Sequence, residues 1–131
     1  MTASASTSTV VRRRDAARLA RRYARAQCDG NAPPTLVEDV ELVVSELVTN
    51  AMRHGRGEIT MHLDVTPDRV VVGVQDQGTG LPLPQEPDET VANGRGLALV
   101  AILATEWGVR PEPGGGKVVW CVLMTTPAVS G

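Results

Sequence analysis

The sequence of 131 residues has the length of one ordinary domain, and with 42% apolar and 21% charged residues it is neither disordered, collagenous nor a coiled coil. The formal charge of −2 argues against a general attraction to nucleic acid or anionic membranes. Two distant cysteines exclude a disulfide scaffold, and the sequence shows neither a signal peptide nor a membrane-spanning run. We therefore expect a cytoplasmic protein that contacts neither membrane nor nucleic acid directly.

The chain begins with small hydroxylated residues, followed by a basic segment. For residues 1–11 we expect a flexible leader, with an edge strand near Thr9–Val11 as the alternative. Residues 12–27 carry apolar side chains on one side and arginines on the other at a spacing of about 3.6, which predicts an amphipathic helix. The arginine side of this helix is typical either of a solvated surface or of a docking surface for an acidic protein.

A second and longer helix is predicted over residues 35–54. Thr35 and Glu38 have the spacing of a capping box at its start, and Gly55 marks its end. The wide apolar face between these signals comprises Leu36, Val37, Val40, Val44, Leu47, Val48 and Ala51. Such a face indicates a helix whose packing belongs to the hydrophobic core.

The rest of the chain predicts two hairpins, separated by a loop and a third helix. Residues 58–65 alternate between apolar and polar side chains, and residues 69–75 form a more apolar run after a turn, so these strands should pair antiparallel. Residues 77–93 show no periodicity, and a loop of this length usually has a functional role. The later elements are a helix over residues 95–106 and strands over residues 107–111 and 117–124. This order predicts an α+β fold, a two-layer sandwich in which a mostly antiparallel sheet carries its helices on one face.

Two motifs combine acidic side chains with an amide or with glycines. Glu46 and Asn50 lie one turn apart on the second predicted helix, where an acid can orient a nucleophile and an amide oxygen can ligate Mg²⁺. Asp76 follows an apolar strand and precedes Gly78 and Gly80, so that bare backbone would let a base approach the carboxylate. Each motif has an ordinary alternative, a solvated helix face in the first case and a tight turn in the second.

A third motif, Gly94-Arg95-Gly96-Leu97, opens the third predicted helix, where free amides and the helix dipole favour a phosphate; a simple loop-to-helix joint is the alternative. In this order the three motifs resemble the N, G1 and G2 boxes of the GHKL (histidine kinase-like) ATPase superfamily. The likeness is strongest to the small anti-sigma-factor serine/threonine kinases and their single-domain actinobacterial relatives, and it covers about residues 12–124.

The resemblance implies a Bergerat-type ATP-binding fold and a role for each matching residue. Glu46 matches the general base, Asn50 the Mg²⁺ ligand, and Asp76 the aspartate that accepts a hydrogen bond from adenine. Residues 81–93 would form a lid over the nucleotide. The remaining cofactor-binding positions, which would shape the pocket floor or meet the phosphates, are Gly78, Gly80, Gly94, Arg95, Gly96 and Leu97.

The resemblance also implies a function. A histidine kinase-like ATPase domain over residues 12–126, followed by a tail over residues 127–131, would bind ATP and Mg²⁺ and act as a serine/threonine protein kinase and anti-sigma factor in a partner-switching pathway. Its partners would be a sigma factor, an anti-sigma antagonist, or both, and a homodimer is left open. The alternatives are a nucleotide-dependent interaction module with little or no kinase activity and an adaptor that has lost nucleotide binding.

One departure from the family pattern concerns the last hairpin. Relatives in the small branch usually have Gly-Gly-Lys-Thr-Val-Trp, with a threonine that binds adenine through water, whereas this chain has Val118 at that position. The loss of one such hydrogen bond predicts ATP binding that is weaker by about tenfold at most.

Overall fold

A computed structural model describes residues 4–78 and 91–125 of the chain. Its elements are β1 (Ser4–Val10), α1 (Ala16–Cys28), α2 (Pro34–His54), β2 (Ile59–Thr66), β3 (Arg69–Asp76), α3 (Val91–Leu103), β4 (Glu106–Pro111) and β5 (Lys117–Met124). The predicted α+β class is confirmed, as are all the predicted helices and the four predicted strands of the two hairpins.

The five strands form one antiparallel sheet in the order β1-β2-β3-β5-β4. Helix α1 packs against β1 and β2, α2 packs against β2, β3 and β5, and α3 packs against β4. Helix α2 therefore crosses the centre of the sheet with α1 on one side and α3 on the other. In the central strand pair, the register places Asp76 at the end of β3 opposite Lys117 at the start of β5.

The hydrophobic core lies between the sheet and α2. In β2 every second residue is buried, as the alternation predicts, and the buried set is Ile59, Met61, Leu63 and Val65. The predicted apolar face of α2 is buried at every position, and Val43 joins it. Because each fully buried aliphatic side chain contributes about 1.5–3 kcal/mol, this face fixes α2 firmly on the sheet.

The starts of the first elements differ from the predictions. Residues Ser4–Val10 form an edge strand that pairs with β2 from Ser4↔Val65 to Val10↔Ile59. The segment is therefore an edge strand, which was the alternative to a flexible leader, and it begins earlier and is longer than the strand expected near Thr9–Val11. Helix α2 begins at Pro34 with Pro33 as its N-cap, and no side chain caps it, so the predicted capping box is wrong. The physical reason is that proline fits the first helical position, where it lacks only an N–H that would be free in any case.

Helix α3 begins at Val91 and ends at Leu103, whereas the sequence predicted residues 95–106. The predicted loop therefore ends sooner, since residues 91–93 are helical, and Glu106 opens strand β4 instead of closing the helix. Residues 79–90 of that loop and the predicted tail lie outside the described residues. In the part of the chain that the structure describes, no helix combines the length and apolar character needed to cross a membrane.

Candidate functional site

Asp76 is a buried acidic side chain at the end of β3, with 2% of its surface exposed. Three donors converge on its oxygen Oδ1. The amide of Gly78 lies at 2.7 Å, the ammonium Nζ of Lys117 at 3.0 Å, and the amide of Arg56 at a longer 3.4 Å. Lys117 is itself only 3% exposed, so the ion pair is shielded from water on both sides.

Three glycines make room for this carboxylate. A Cβ on Gly55 would lie 2.5 Å from Cγ and 2.6 Å from Oδ2 of Asp76, and a Cβ on Gly78 would lie 3.0 Å from Oδ1. Gly116 has φ +90° and approaches the backbone oxygen of Asp76, which a Cβ would meet at 2.5 Å. Any side chain at Gly55 or Gly116 would displace Asp76, so the glycines form a bare backbone cradle around the acid.

The turn after α2 is held in place by Arg12. Its guanidinium group donates to the carbonyl of Gly57 at 2.8 Å and to that of Met52 at 3.2 Å, at the negative end of the helix dipole. Within this turn, the carbonyl of Arg56 accepts a hydrogen bond of 2.7 Å from the amide of Gln77. These contacts fix the end of α2 against the end of β3, and with it the Arg56 amide that reaches Asp76.

Glu46 and Asn50 lie on α2 and are half-buried. Glu41 and Ser45 of α2 form hydrogen bonds with arginines of α1. At about 100° per residue, Glu46 lies about 140° around the helix from Glu41, and Asn50 lies about 140° from Ser45. They therefore flank the apolar face on the side towards α3, and they do not lie opposite that face, as a fully solvated helix face would. Asn50 is about 7–8 Å along the helix axis from Gly55, and Glu46 is one turn farther.

The structure describes only some of the other predicted site residues. Gly78 belongs to the Asp76 cluster, whereas Gly80 and residues 81–90 of the predicted lid lie outside the described residues. Gly94, Arg95 and Gly96 lie within α3. Because α3 begins at Val91, the amide of Gly96 comes after the four free N–H groups of the helix start, contrary to the predicted arrangement. Leu97 is 5% exposed and packs in the hydrophobic core.

The sequence analysis did not identify Lys117, and the register of β5 argues against the role expected at its neighbour, position 118. Adjacent residues of a strand point to opposite faces of the sheet. Because Lys117 points to the face that carries Asp76, Val118, which is paired with Gln75, points to the face without helices. A threonine hydroxyl at position 118 would therefore not reach the Asp76 cluster. The signal for Lys117 was available, because the chain's single lysine stands at the start of an apolar strand.

The face of the sheet without helices holds a cavity of about 580 Å³, lined among others by His62, Arg110, Val118 and Trp120. It is separated from Asp76 by the sheet, so we do not assign it to the same site. Among the described residues, no three His, Cys, Asp or Glu side chains form a group that could hold a metal ion alone.

Both cysteines are buried and are poor candidates for nucleophiles. Burial raises the pKa of the Cys121 thiol to about 12. The pKa of Cys28 is also raised, mainly by burial and further by the negative charge of Glu41. Each thiol therefore stays protonated at neutral pH, and neither is a candidate nucleophile.

Comparison with known proteins identifies the family to which this chain belongs. The sequence pattern of the histidine kinase-like ATPase domain matches residues 10–122. An anti-sigma F factor of Pasteuria penetrans is 33% identical over 102 residues, which cover 66% of this chain and 68% of that protein. The serine-protein kinases RsbW of Staphylococcus aureus and Bacillus licheniformis are 29% and 32% identical over 96 and 95 residues; each alignment covers 60% of this chain but only 60% and 59% of the respective kinase. Because the family pattern extends from the end of β1 to β5, the chain belongs to the histidine kinase-like ATPase domain family.

Proposed function

We propose that the protein binds Mg-ATP and is a serine/threonine protein kinase that acts as an anti-sigma factor. The observation that carries this proposal is the cluster at Asp76, a buried carboxylate in a glycine cradle at the end of the helix that bears Glu46 and Asn50. The names of the relatives, an anti-sigma F factor and serine-protein kinases, support both parts of the proposal. The whole activity remains a proposal, because the chain matches only about 60% of the length of the kinases.

The Asp76 end of the site would recognise the base. A carboxylate is an acceptor, and a buried acceptor that meets an exocyclic amino group distinguishes adenine from a base with a carbonyl at the same position. Gly55 and Gly78 present backbone beside the carboxylate, so a flat ring could approach it without displacing a side chain. Gly80, in the same motif, would extend this floor.

The flank of α2 would meet the triphosphate. Asn50 would ligate Mg²⁺ through its amide oxygen, and Glu46 would accept the proton of the attacking hydroxyl group. Mg²⁺, when bound, would neutralise negative charge on the phosphates. Gly94, Arg95, Gly96 and Leu97 are the predicted phosphate-side segment, and Gly96 could offer its amide only if the first turns of α3 opened.

The partners would be a sigma factor and an anti-sigma antagonist that carries the acceptor serine or threonine. Helix α1 offers a charged surface for such a protein, because Arg22 is exposed on it and Arg14 is exposed just before its first residue. Part of the arginine surface is already engaged, since Arg25 pairs with Glu41 and Arg21 bonds Ser45. We expect action in the cytoplasm and leave a homodimer as a prediction.

Calorimetric titration of Mg-ATP into the wild type and Asp76→Asn tests nucleotide binding first. We expect micromolar to sub-millimolar binding by the wild type and its loss in the variant, because an amide presents an N–H₂ group where the base needs an acceptor. Thermal unfolding of both proteins without nucleotide controls for a folding defect in Asp76→Asn. A wild type that gives neither heat nor a thermal shift at millimolar Mg-ATP would exclude the ATP-binding function and leave the adaptor alternative.

Glu46→Ala separates a kinase from an interaction module. In a kinase, this variant should bind Mg-ATP like the wild type and transfer phosphate to the antagonist about 10²–10⁴ times more slowly, because it lacks the general base. In a module with little or no turnover, partner binding would respond to ATP equally in both proteins. Wild-type transfer that persists in Glu46→Ala would refute the assigned role of Glu46.

A further inference from the structure

The ion pair between Asp76 and Lys117 uses one carboxylate oxygen only. Oδ1 receives the ammonium of Lys117 and the amides of Gly78 and Arg56, which is one donor more than the two lone pairs of a carboxylate oxygen accommodate well. Oδ2 lies on the side of the carboxyl group that faces Gly55, where an added Cβ would come within 2.6 Å of Oδ2 and 2.5 Å of Cγ. The two oxygens of Asp76 are therefore in different surroundings, one saturated with donors and the other beside bare backbone.

We propose that Lys117 is a positioning residue for base recognition, whose ammonium holds Oδ1 of Asp76 and thereby presents Oδ2 as the acceptor for the amino group of the base. The inference rests on the proposed ATP-binding function and adds to it a residue that the three sequence motifs do not contain. Lys117 itself does not contact the ligand. It acts by fixing the rotation of the carboxylate and by balancing its charge within a buried environment.

Stability alone does not account for this pair. A buried ion pair loses hydration on both partners, and replacement by apolar residues is often neutral or stabilising. Lys117 and Asp76 are 3% and 2% exposed, so both have lost almost all contact with water. Beside a ligand site, a buried ion pair can hold an acceptor in a fixed orientation, and in our proposal this orientation of Asp76 offsets the loss of hydration.

The test compares two nucleotides on two variants. Mg-ATP and the magnesium complex of purine riboside 5′-triphosphate, which lacks the 6-amino group, are titrated into the wild type, Lys117→Met and Arg110→Met. Arg110→Met is the matched control, because it removes one positive charge from the same hairpin on the opposite face of the sheet, where Arg110 is exposed and paired with Glu112. Both variants therefore change the net charge equally, and only one touches Asp76.

We expect the wild type and Arg110→Met to prefer ATP by about tenfold or more, the value of one hydrogen bond to a charged acceptor. In Lys117→Met the preference should fall to about twofold or less. A Lys117→Met protein that keeps the wild-type preference overturns the inference, even if both nucleotides bind more weakly, since uniform weakening would mean direct contact with the triphosphate or a purely structural role.

If Lys117→Met is unfolded by circular dichroism, Lys117→Gln becomes the deciding variant. It retains a shorter neutral donor and should lose part of the preference, whereas an unchanged preference in folded Lys117→Gln overturns the inference. The titrations of the wild type alone distinguish a failure of the proposed ATP-binding function from a failure of the inference about Lys117. A wild type that binds neither nucleotide refutes ATP binding and the inference with it, whereas a selective wild type with an equally selective Lys117→Met refutes the inference only.

Discussion

The two ends of the candidate site are built in different ways. At the Asp76 end, the acid, its lysine and three glycines fit together so closely that added atoms would collide with the carboxylate or its backbone. On the flank of α2, Glu46 and Asn50 are half-buried on a helix whose position is fixed by residues on another face. The Asp76 end is thus part of the folded interior, whereas Glu46 and Asn50 lie at its edge.

This difference has a consequence for every substitution in the site. At the Asp76 end, the proposed ligand binding and the folding of the chain depend on the same contacts, so a change in one should change the other. On the flank of α2, the side chains can be replaced without disturbing the core, so a change there should affect the chemistry alone. Stability measurements on matched variants can therefore separate the two ends without any ligand.

The largest loss of stability should follow from breaking the buried ion pair on one side. Asp76→Leu leaves the ammonium of Lys117 buried without a counter-charge, and we expect a loss of about 3–5 kcal/mol in the free energy of unfolding measured with urea. The double variant Asp76→Leu/Lys117→Met carries no unpaired charge and should recover most of that loss. Equal losses in the single and double variants would show that the pair is solvated rather than part of the interior.

A smaller loss should distinguish two glycines of the last hairpin. Gly114 and Gly116 both have positive φ, but a Cβ on Gly114 would meet nothing within 4 Å, whereas one on Gly116 would meet the Asp76 backbone oxygen at 2.5 Å. Gly114→Ala should cost about 1–2 kcal/mol from backbone conformation alone. Gly116→Ala should cost at least about 1 kcal/mol more and should also weaken nucleotide binding. If the two variants were equally stable, the close approach of Gly116 to the backbone of Asp76 would not exclude a side chain at position 116.

The contrast between the ends also explains what could be predicted from the sequence. The fold follows from local signals, since the alternation in β2 and the apolar face of α2 both appear in the chain as periodic patterns. Glu46 and Asn50 were predicted from their spacing of one turn on a single helix and from the resemblance of their motif, and their roles stay predictions.

Lys117 was not predicted because its partner is 41 residues away along the chain. The contact depends on the register of β3 with β5, and a shift of one residue would have turned Lys117 to the other face. The start of α3 at Val91 was missed because Gly94 and Gly96 lie within its first turns, and glycines argue against a helix that includes them.

A near-zero effect on stability is expected on the flank of α2. Glu46→Gln and Asn50→Ala replace half-buried side chains that lie outside the apolar face, so each should change the free energy of unfolding by no more than about 0.5 kcal/mol. The same urea titrations that measure Asp76→Leu provide this comparison. A loss above about 1 kcal/mol in either variant would show that this flank is as much a part of the packed interior as the Asp76 end.

The smallest effect is expected at Val118, where sequence and structure give opposite predictions. The family pattern predicts that Val118→Thr restores a water-mediated contact with adenine and strengthens ATP binding by up to about tenfold. The register places residue 118 on the face without helices, opposite Gln75, while its neighbour Lys117 reaches Asp76. We therefore expect the Kd for Mg-ATP to change by less than about twofold, measured by calorimetry under conditions in which both proteins are folded.

The comparison with Lys117→Met is informative because the two positions are adjacent in the chain but lie on opposite faces of the sheet. A tenfold gain in Val118→Thr would contradict the placement of residue 118 away from the Asp76 cluster and would support the contact that the family pattern predicts.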